Sequence, residues 1–140
     1  MTLLEKLFGF QGRITRKDYW LYYLSLIGLT AVFSISVIVT ARLTGRAVDP
    51  RADFKMLAVG LGVLTLWPSL AIGVKRCHDR DKSGWWLLLW GLLGAIPFVG
   101  ILASLWSFVE LGILDGTPGA NRFGLSPKGR GAGRIGEIFA

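Results

Sequence analysis

The chain has 140 residues, of which 52% are apolar and 18% charged, against about 25% charged in ordinary soluble domains. That length fits one domain, and a single cysteine excludes an internal disulfide framework. A net charge of +7 would suggest nucleic acid in a soluble protein, but no nucleic-acid-binding signature accompanies it, and nucleic acid is not the expected partner.

The chain opens on Leu3, Leu4, Leu7 and Phe8 at helical spacing, so Thr2 to Phe10 reads as a short amphipathic turn along a membrane interface, with a frayed terminus as the alternative. Tyr19–Ala41 follows, 23 residues without a charge. It is longer than a signal-peptide core and is expected to be an uncleaved first span. Met56–Val74 is a second uncharged stretch, of 19 residues, and Ser83–Val109 a third, of 27. Uncharged apolar stretches of about 18 or more are membrane-helix candidates, and helices satisfy their own backbone in lipid. The expectation is an all-α integral membrane protein, with a membrane domain over residues 1–126 and a flexible basic tail over 127–140.

The third stretch is ambiguous. As one helix it would be about 40 Å long, against a hydrocarbon core of about 30 Å. Near its middle lies Gly94-Ala95-Ile96-Pro97-Phe98-Val99-Gly100. Proline removes a helix donor and restricts its predecessor, and glycine supplies turn freedom. The preferred reading is two transmembrane helices plus a short Pro/Gly-broken hairpin, with spans at about 19–41, 56–74, 85–96 and 98–114. One long kinked third helix is the alternative. Pro68 is expected to kink the second span, and small residues at four-residue spacing, such as Ala58 and Gly62, would let helices approach closely.

The basic residues fall into four groups of four: Lys6, Arg13, Arg16 and Lys17; Arg42, Arg46, Arg51 and Lys55; Lys75, Arg76, Arg80 and Lys82; Arg122, Lys128, Arg130 and Arg134. A single crossing by the third stretch splits them eight against eight. A hairpin splits them twelve against four, and the positive-inside rule favours that arrangement, with both termini and the middle loop cytoplasmic.

The densest polar motif is Arg76-Cys77-His78-Asp79-Arg80-Asp81-Lys82-Ser83-Gly84, placed between two apolar stretches and followed by Trp85-Trp86. Trp20, Trp85 and Trp86 read as interfacial anchors, whereas Trp90 and Trp106 read as deeper packing residues. Ser83 suits a helix cap. In the favoured topology Arg13, Arg16, Arg76, His78, Asp79, Arg80, Asn121 and Arg122 share one face. Arginine's planar fork suits phosphate or carboxylate, so this cluster is a candidate site for an anion or lipid headgroup. The other reading is a structural staple through Asp18, Asp79, Asp81 and Asp115, and it is preferred because charges at a membrane face require no ligand.

No catalytic set emerges. Cys77, His78 and Asp79 point about 100° apart in turn on a helix, and no second histidine or cysteine exists to complete a zinc site. No cofactor, metal or enzymatic activity is expected. Glu110 is the one ionisable group within an apolar stretch, which makes it a functional candidate by default.

Four motifs occur in order: Gly12-Arg13-Ile14-Thr15-Arg16-Lys17-Asp18-Tyr19-Trp20; Arg76 to Trp85; Pro97-Phe98-Val99-Gly100; and Gly116-Thr117-Pro118-Gly119-Ala120-Asn121-Arg122-Phe123-Gly124-Leu125-Ser126-Pro127. Together, from about Gly12 to Pro127, they resemble the bacterial inner-membrane family called Domain of Unknown Function 805. The resemblance implies a small protein of the bacterial plasma membrane and implies no reaction. The functional expectation therefore rests on the residues: a structural, lipid-contacting or accessory-subunit role, with anionic lipid headgroups and a homo- or hetero-oligomer as partners. An oligomeric transporter or channel component is the alternative, and a membrane-embedded enzyme ranks below both.

Overall fold

The computed structural model describes residues 2–47 and 49–129; the basic tail expected over 127–140 falls largely outside these. Among the described residues the fold is helical, with no strand beyond an isolated bridge between Asn121 and Gly124. The elements are α1 (Leu3–Phe8), α2 (Arg16–Thr44), α3 (Pro50–Asp79), α4 (Trp85–Gly94) and α5 (Val99–Phe108), the last continuing into a π-helical turn at Val109–Ile113.

The start of α1 is a capping box. Thr2 accepts from the Glu5 amide while the Glu5 carboxylate accepts from the Thr2 amide, so two orphan donors are satisfied reciprocally. Helix α2 starts on the Thr15 hydroxyl, which accepts from the Asp18 amide at 3.1 Å. It ends at Gly45, whose φ of +67° lets the Arg46 amide fold back onto the Ala41 carbonyl at 3.0 Å. Helix α3 starts on Asp49, whose carboxylate accepts from the Arg51 and Ala52 amides.

Both α2 and α3 are long and apolar enough to cross a membrane. Most of their apolar side chains are not buried among the described residues. Leu24, Ile27, Val32 and Ile35 of α2, and Val59, Val63 and Leu66 of α3, all stand exposed. Apolar residues facing outward along the length of a helix suit a lipid surround.

Each helix extends beyond its uncharged stretch. The consequence is largest at the end of α3, where Lys75, Arg76, Cys77, His78 and Asp79 are helical rather than part of a loop. The helix ends in a reverse turn of the Schellman type. Asp81 takes φ +57° and donates from its amide to His78 O at 3.0 Å, and the Lys82 amide reaches Cys77 O at 2.9 Å. Only Arg80 to Gly84 separate α3 from α4.

The Pro97 region breaks the third apolar stretch. The Val99 amide donates to Pro97 O at 2.8 Å across Phe98, which takes φ +64°, the geometry of a γ-turn. Helices α4 and α5 pack on each other past this break. The approach is close: a Cβ on Gly100 would lie 2.5 Å from the Gly94 carbonyl oxygen. The helix after the proposed Ser83 cap starts differently, with Gly84 at the cap position in a helical conformation. The Ser83 hydroxyl meets only the Trp85 amide, at 3.5 Å.

The described residues divide into two compact units, one of residues 2–20 with 68–129 and one of residues 21–47 with 49–67. The first has a small apolar core of Cys77, Trp90 and Leu111, against which Tyr19 and Leu87 pack. In the second, the Tyr22 hydroxyl donates to Thr65 O at 3.4 Å.

Candidate functional site

The polar cluster lies in the first unit and is organised around Asp79. Spacing of three along α3 puts Arg76 and Asp79 on one side of the last turn, and Arg76 Nη1 meets Asp79 Oδ2 at 2.5 Å. Arg13 arrives from the segment before α2 and places Nε and Nη2 each 3.0 Å from Asp79 Oδ1. One carboxylate thus serves two guanidinium groups. All three side chains are 3% exposed or less.

The remaining arginine donors go to main-chain oxygens. Arg13 Nη1 donates to Gly119 O at 2.7 Å and Gly124 O at 3.2 Å, and its Nη2 to Thr117 O at 2.6 Å. Arg76 Nε donates to Leu111 O at 2.7 Å, and its Nη2 bonds Leu114 O. The same stretch of carbonyls recruits further partners. Trp20 Nε1 reaches Gly112 O at 2.9 Å, Arg16 Nη1 reaches Ile113 O at 2.6 Å, and Arg80 Nη1 reaches Asp115 O at 2.5 Å. A helix leaves its last carbonyls unsatisfied and its carboxyl end partially negative. Here the π-helical turn and the residues after it present five successive carbonyls, and four are taken by cationic side chains.

Around this centre lie outer pairs. Arg80 Nε and Lys82 Nζ meet Glu110 Oε1 at 3.0 and 2.8 Å, so the candidate carboxylate of the apolar stretch is doubly paired. Lys82 Nζ also lies 4.8 Å from the centre of the Trp86 ring, a cation–π distance. Arg16 Nε pairs with Asp115 Oδ1 at 3.0 Å. Buried Lys75 donates to the Glu5 and Lys6 carbonyls at the end of α1, and Lys6 pairs with Asp18 at 2.8 Å. These contacts tie the amino-terminal turn to the ends of α2 and α3.

His78 is engaged in packing. Its ring stacks on Phe123 with centroids 3.9 Å apart and planes 5° apart, and Nδ1 sits 3.3 Å from Gly12 O. Its carbonyl accepts from Asn121 Nδ2 at 2.8 Å, and the same amide reaches Thr117 Oγ1 at 3.0 Å. Arg122 does not join the Asp79 centre. It pairs instead with Asp81, at 3.1 Å and with its side chain 68% exposed. Gly116 sits where no side chain fits, because a Cβ there would overlap the Asp79 carboxylate. Sequence reasoning singled out neither Gly116 nor Phe123 as site residues, although both belong to the last of the four motifs.

Of the aromatic anchors, Trp85 and Trp86 stand exposed, and Trp20 turns inward onto Gly112 and Phe108. Trp90 is buried as expected, but Trp106 faces outward at 58% exposure. Among the described residues, no three His, Cys, Asp or Glu side chains gather into a metal-binding group.

The profile of the family described as "Protein of unknown function (DUF805)" matches residues 7–125. The chain is similar to the Inner membrane protein YhaH of Escherichia coli strain K12, 34% identical over 130 residues that cover 91% of this chain and 94% of that one. It is similar to the Inner membrane protein YhaI of the same strain, 33% identical over 128 residues with 91% and 93% covered. It is also similar to the Uncharacterized protein YiiR, 34% identical over 142 residues with 89% of each covered. No solved structure matches.

Proposed function

We propose, from the premise that this chain belongs to the family described as Protein of unknown function (DUF805), that it is a small multi-pass protein of the bacterial inner membrane whose role is structural, lipid-contacting or that of an accessory subunit. Two of the relatives carry the words inner membrane protein in their names, and α2 and α3 supply two membrane-length apolar helices.

One observation carries the reading: Arg13, Arg76 and Asp79 are buried together with their polar atoms committed to one another and to carbonyls. A guanidinium whose forks are spent on main-chain oxygens is a staple, with nothing left to offer a ligand. The groups with open sides are Arg16, Lys17 and Arg122, and these meet anionic headgroups at the rim, each contributing about 1 kcal/mol near such a surface. Stacking of His78 on Phe123 supports a structural over an enzymatic role for this motif. A transport role asks for an ionisable group facing a path through the membrane, and Glu110 is instead held by Arg80 and Lys82.

The proposed topology has both termini and the Asp79 cluster on the cytoplasmic side, with α4 and α5 as a re-entrant hairpin. The twelve-against-four division of basic residues supports it. So do the helix lengths. Ten residues in α4 rise about 15 Å, half of a hydrocarbon core of about 30 Å. A reporter fused after Ala140 tests this placement. Activity on the cytoplasmic side is expected. Activity on the external side would overturn the hairpin and restore a single third crossing.

A further inference from the structure

A second polar feature lies wholly within residues 21–67, where the mouth of an apolar groove between α2 and α3 is built from one arginine and one aspartate. The groove has a volume of about 410 Å³, within the range of small-ligand sites. Its walls are Phe33 and Val37 of α2 and Leu57, Gly60, Leu61 and Leu64 of α3. Arg46 and Asp53 close one end, with Arg46 Nη2 2.6 Å from Asp53 Oδ1. From Asp53 to Leu64 the helix rises about 16 Å, close to half of a hydrocarbon core of about 30 Å. The groove therefore has the depth of one leaflet and a charged rim at one end only.

The rim is incomplete. The Asp53 side chain is 16% exposed, and its Oδ2 is buried with no hydrogen-bond partner among the described residues. A buried carboxylate oxygen without a donor is costly, so an open acceptor on a residue that lines a groove is a place for a ligand's donor. The carboxylate torsion of aspartate is soft, so Oδ2 is free to rotate toward a donor. Arg46 is the complementary half. Its side chain is 57% exposed while one nitrogen holds Asp53, so the rest of the fork is open to a phosphate. Its position is fixed by the reverse turn at Gly45, through the bond from the Arg46 amide to Ala41 O.

We propose that this groove binds one phospholipid with a phosphoethanolamine headgroup. An acyl chain lies between α2 and α3, the phosphate meets Arg46, and the primary ammonium donates to Asp53 Oδ2. Charge complementarity selects this headgroup. A quaternary choline has no N–H to donate, and a phosphatidylglycerol headgroup brings negative charge to an aspartate without a compensating ammonium. The inference rests on the membrane reading above and is independent of which side either terminus occupies.

The test uses the full chain in detergent, with native mass spectrometry during titration with phosphatidylethanolamine, phosphatidylcholine and phosphatidylglycerol of identical acyl chains. One phosphatidylethanolamine per chain is expected, retained about tenfold more strongly than the other two, the worth of one charge-assisted hydrogen bond. Asp53→Asn is expected to bring phosphatidylethanolamine down to the level of phosphatidylcholine. Gly60→Phe supplies a second variant. A Cβ there meets nothing within 4 Å, so the ring enters open groove and is expected to remove the selective lipid without unfolding the protein. Equal retention of all three lipids, a preference for phosphatidylglycerol, a lipid-free dimer, or undiminished selectivity in Gly60→Phe would each overturn the proposal. A failed reporter result alongside intact selectivity would sink the topology and leave this site standing.

Discussion

Arg76–Asp79 at the end of α3 and Arg46–Asp53 near its start join the same two residue types, yet they differ in almost every other respect. At Asp79 both carboxylate oxygens have a guanidinium partner, and the arginines spend their other donors on carbonyls. At Asp53 one oxygen is paired and the other is buried without a partner among the described residues. Bringing a charge out of water is costly unless its hydrogen bonds are replaced. The first pair replaces them from within the chain, by drawing Arg13 and the carbonyls after α5 into one network. The second leaves one carboxylate oxygen unpaired among the described residues, on a side chain that lines an apolar groove. The lesson is that a buried ion pair reads as structure or as site according to how completely its polar atoms are satisfied, and residue type alone does not distinguish the two.

The largest effect is expected from breaking the saturated pair. Asp79→Ala leaves two buried guanidinium groups without their carboxylate, and loss of one partner of a buried pair costs about 3–5 kcal/mol. His78→Gln removes a ring stacked on Phe123 and no charge, and it is expected to lower the melting temperature in detergent by much less. Full stability of Asp79→Ala together with loss of a cellular phenotype would turn the staple into a ligand site. Next in size is Gly116→Ala. Its methyl group would press on the Asp79 carboxylate, and overpacking of this kind costs about 1–3 kcal/mol. Unchanged melting of this variant would mean that the centre is looser than its geometry implies.

Much of the polar cluster was legible in the sequence, because charges beside long apolar stretches must lie at membrane ends and because arginines crowd around Asp79. Glu110 stood out in the sequence as an ionisable group within an apolar stretch, but its double pairing with Arg80 and Lys82 did not. The carbonyl partners were not legible. Main-chain acceptors carry no residue identity, and nothing in Val109-Glu110-Leu111-Gly112-Ile113 announces a π-helical turn that exposes them. The expectation that the arginines would be matched by carboxylates therefore described the smaller part of their bonds. The continuity of Arg76 to Asp79 with the second span was not legible for a related reason, since the uncharged stretch ends at Val74 while the helix continues through the charges. Stacking of His78 on Phe123 and the inward turn of Trp20 depend on contacts across more than 40 residues, which periodicity does not encode. The break near Pro97 was readable from Pro and Gly, but the γ-turn at Phe98 was not, because a bulky residue at positive φ runs against local preference.

The most direct test of the difference between saturated and exposed pairs is a pair of double-mutant cycles on the full chain in detergent. One cycle joins Arg13→Ala with Asp79→Ala, and the other joins Arg122→Ala with Asp81→Ala. The exposed Arg122–Asp81 pair is expected to couple by about 0.2–1 kcal/mol. The Arg13–Asp79 pair is expected to couple by more than that, toward the upper end of the about 0.5–3 kcal/mol seen for residues in one network. Additivity at Arg13 and Asp79 within about 0.3–0.5 kcal/mol, the behaviour of independent sites, would contradict the claim that this centre holds the fold together.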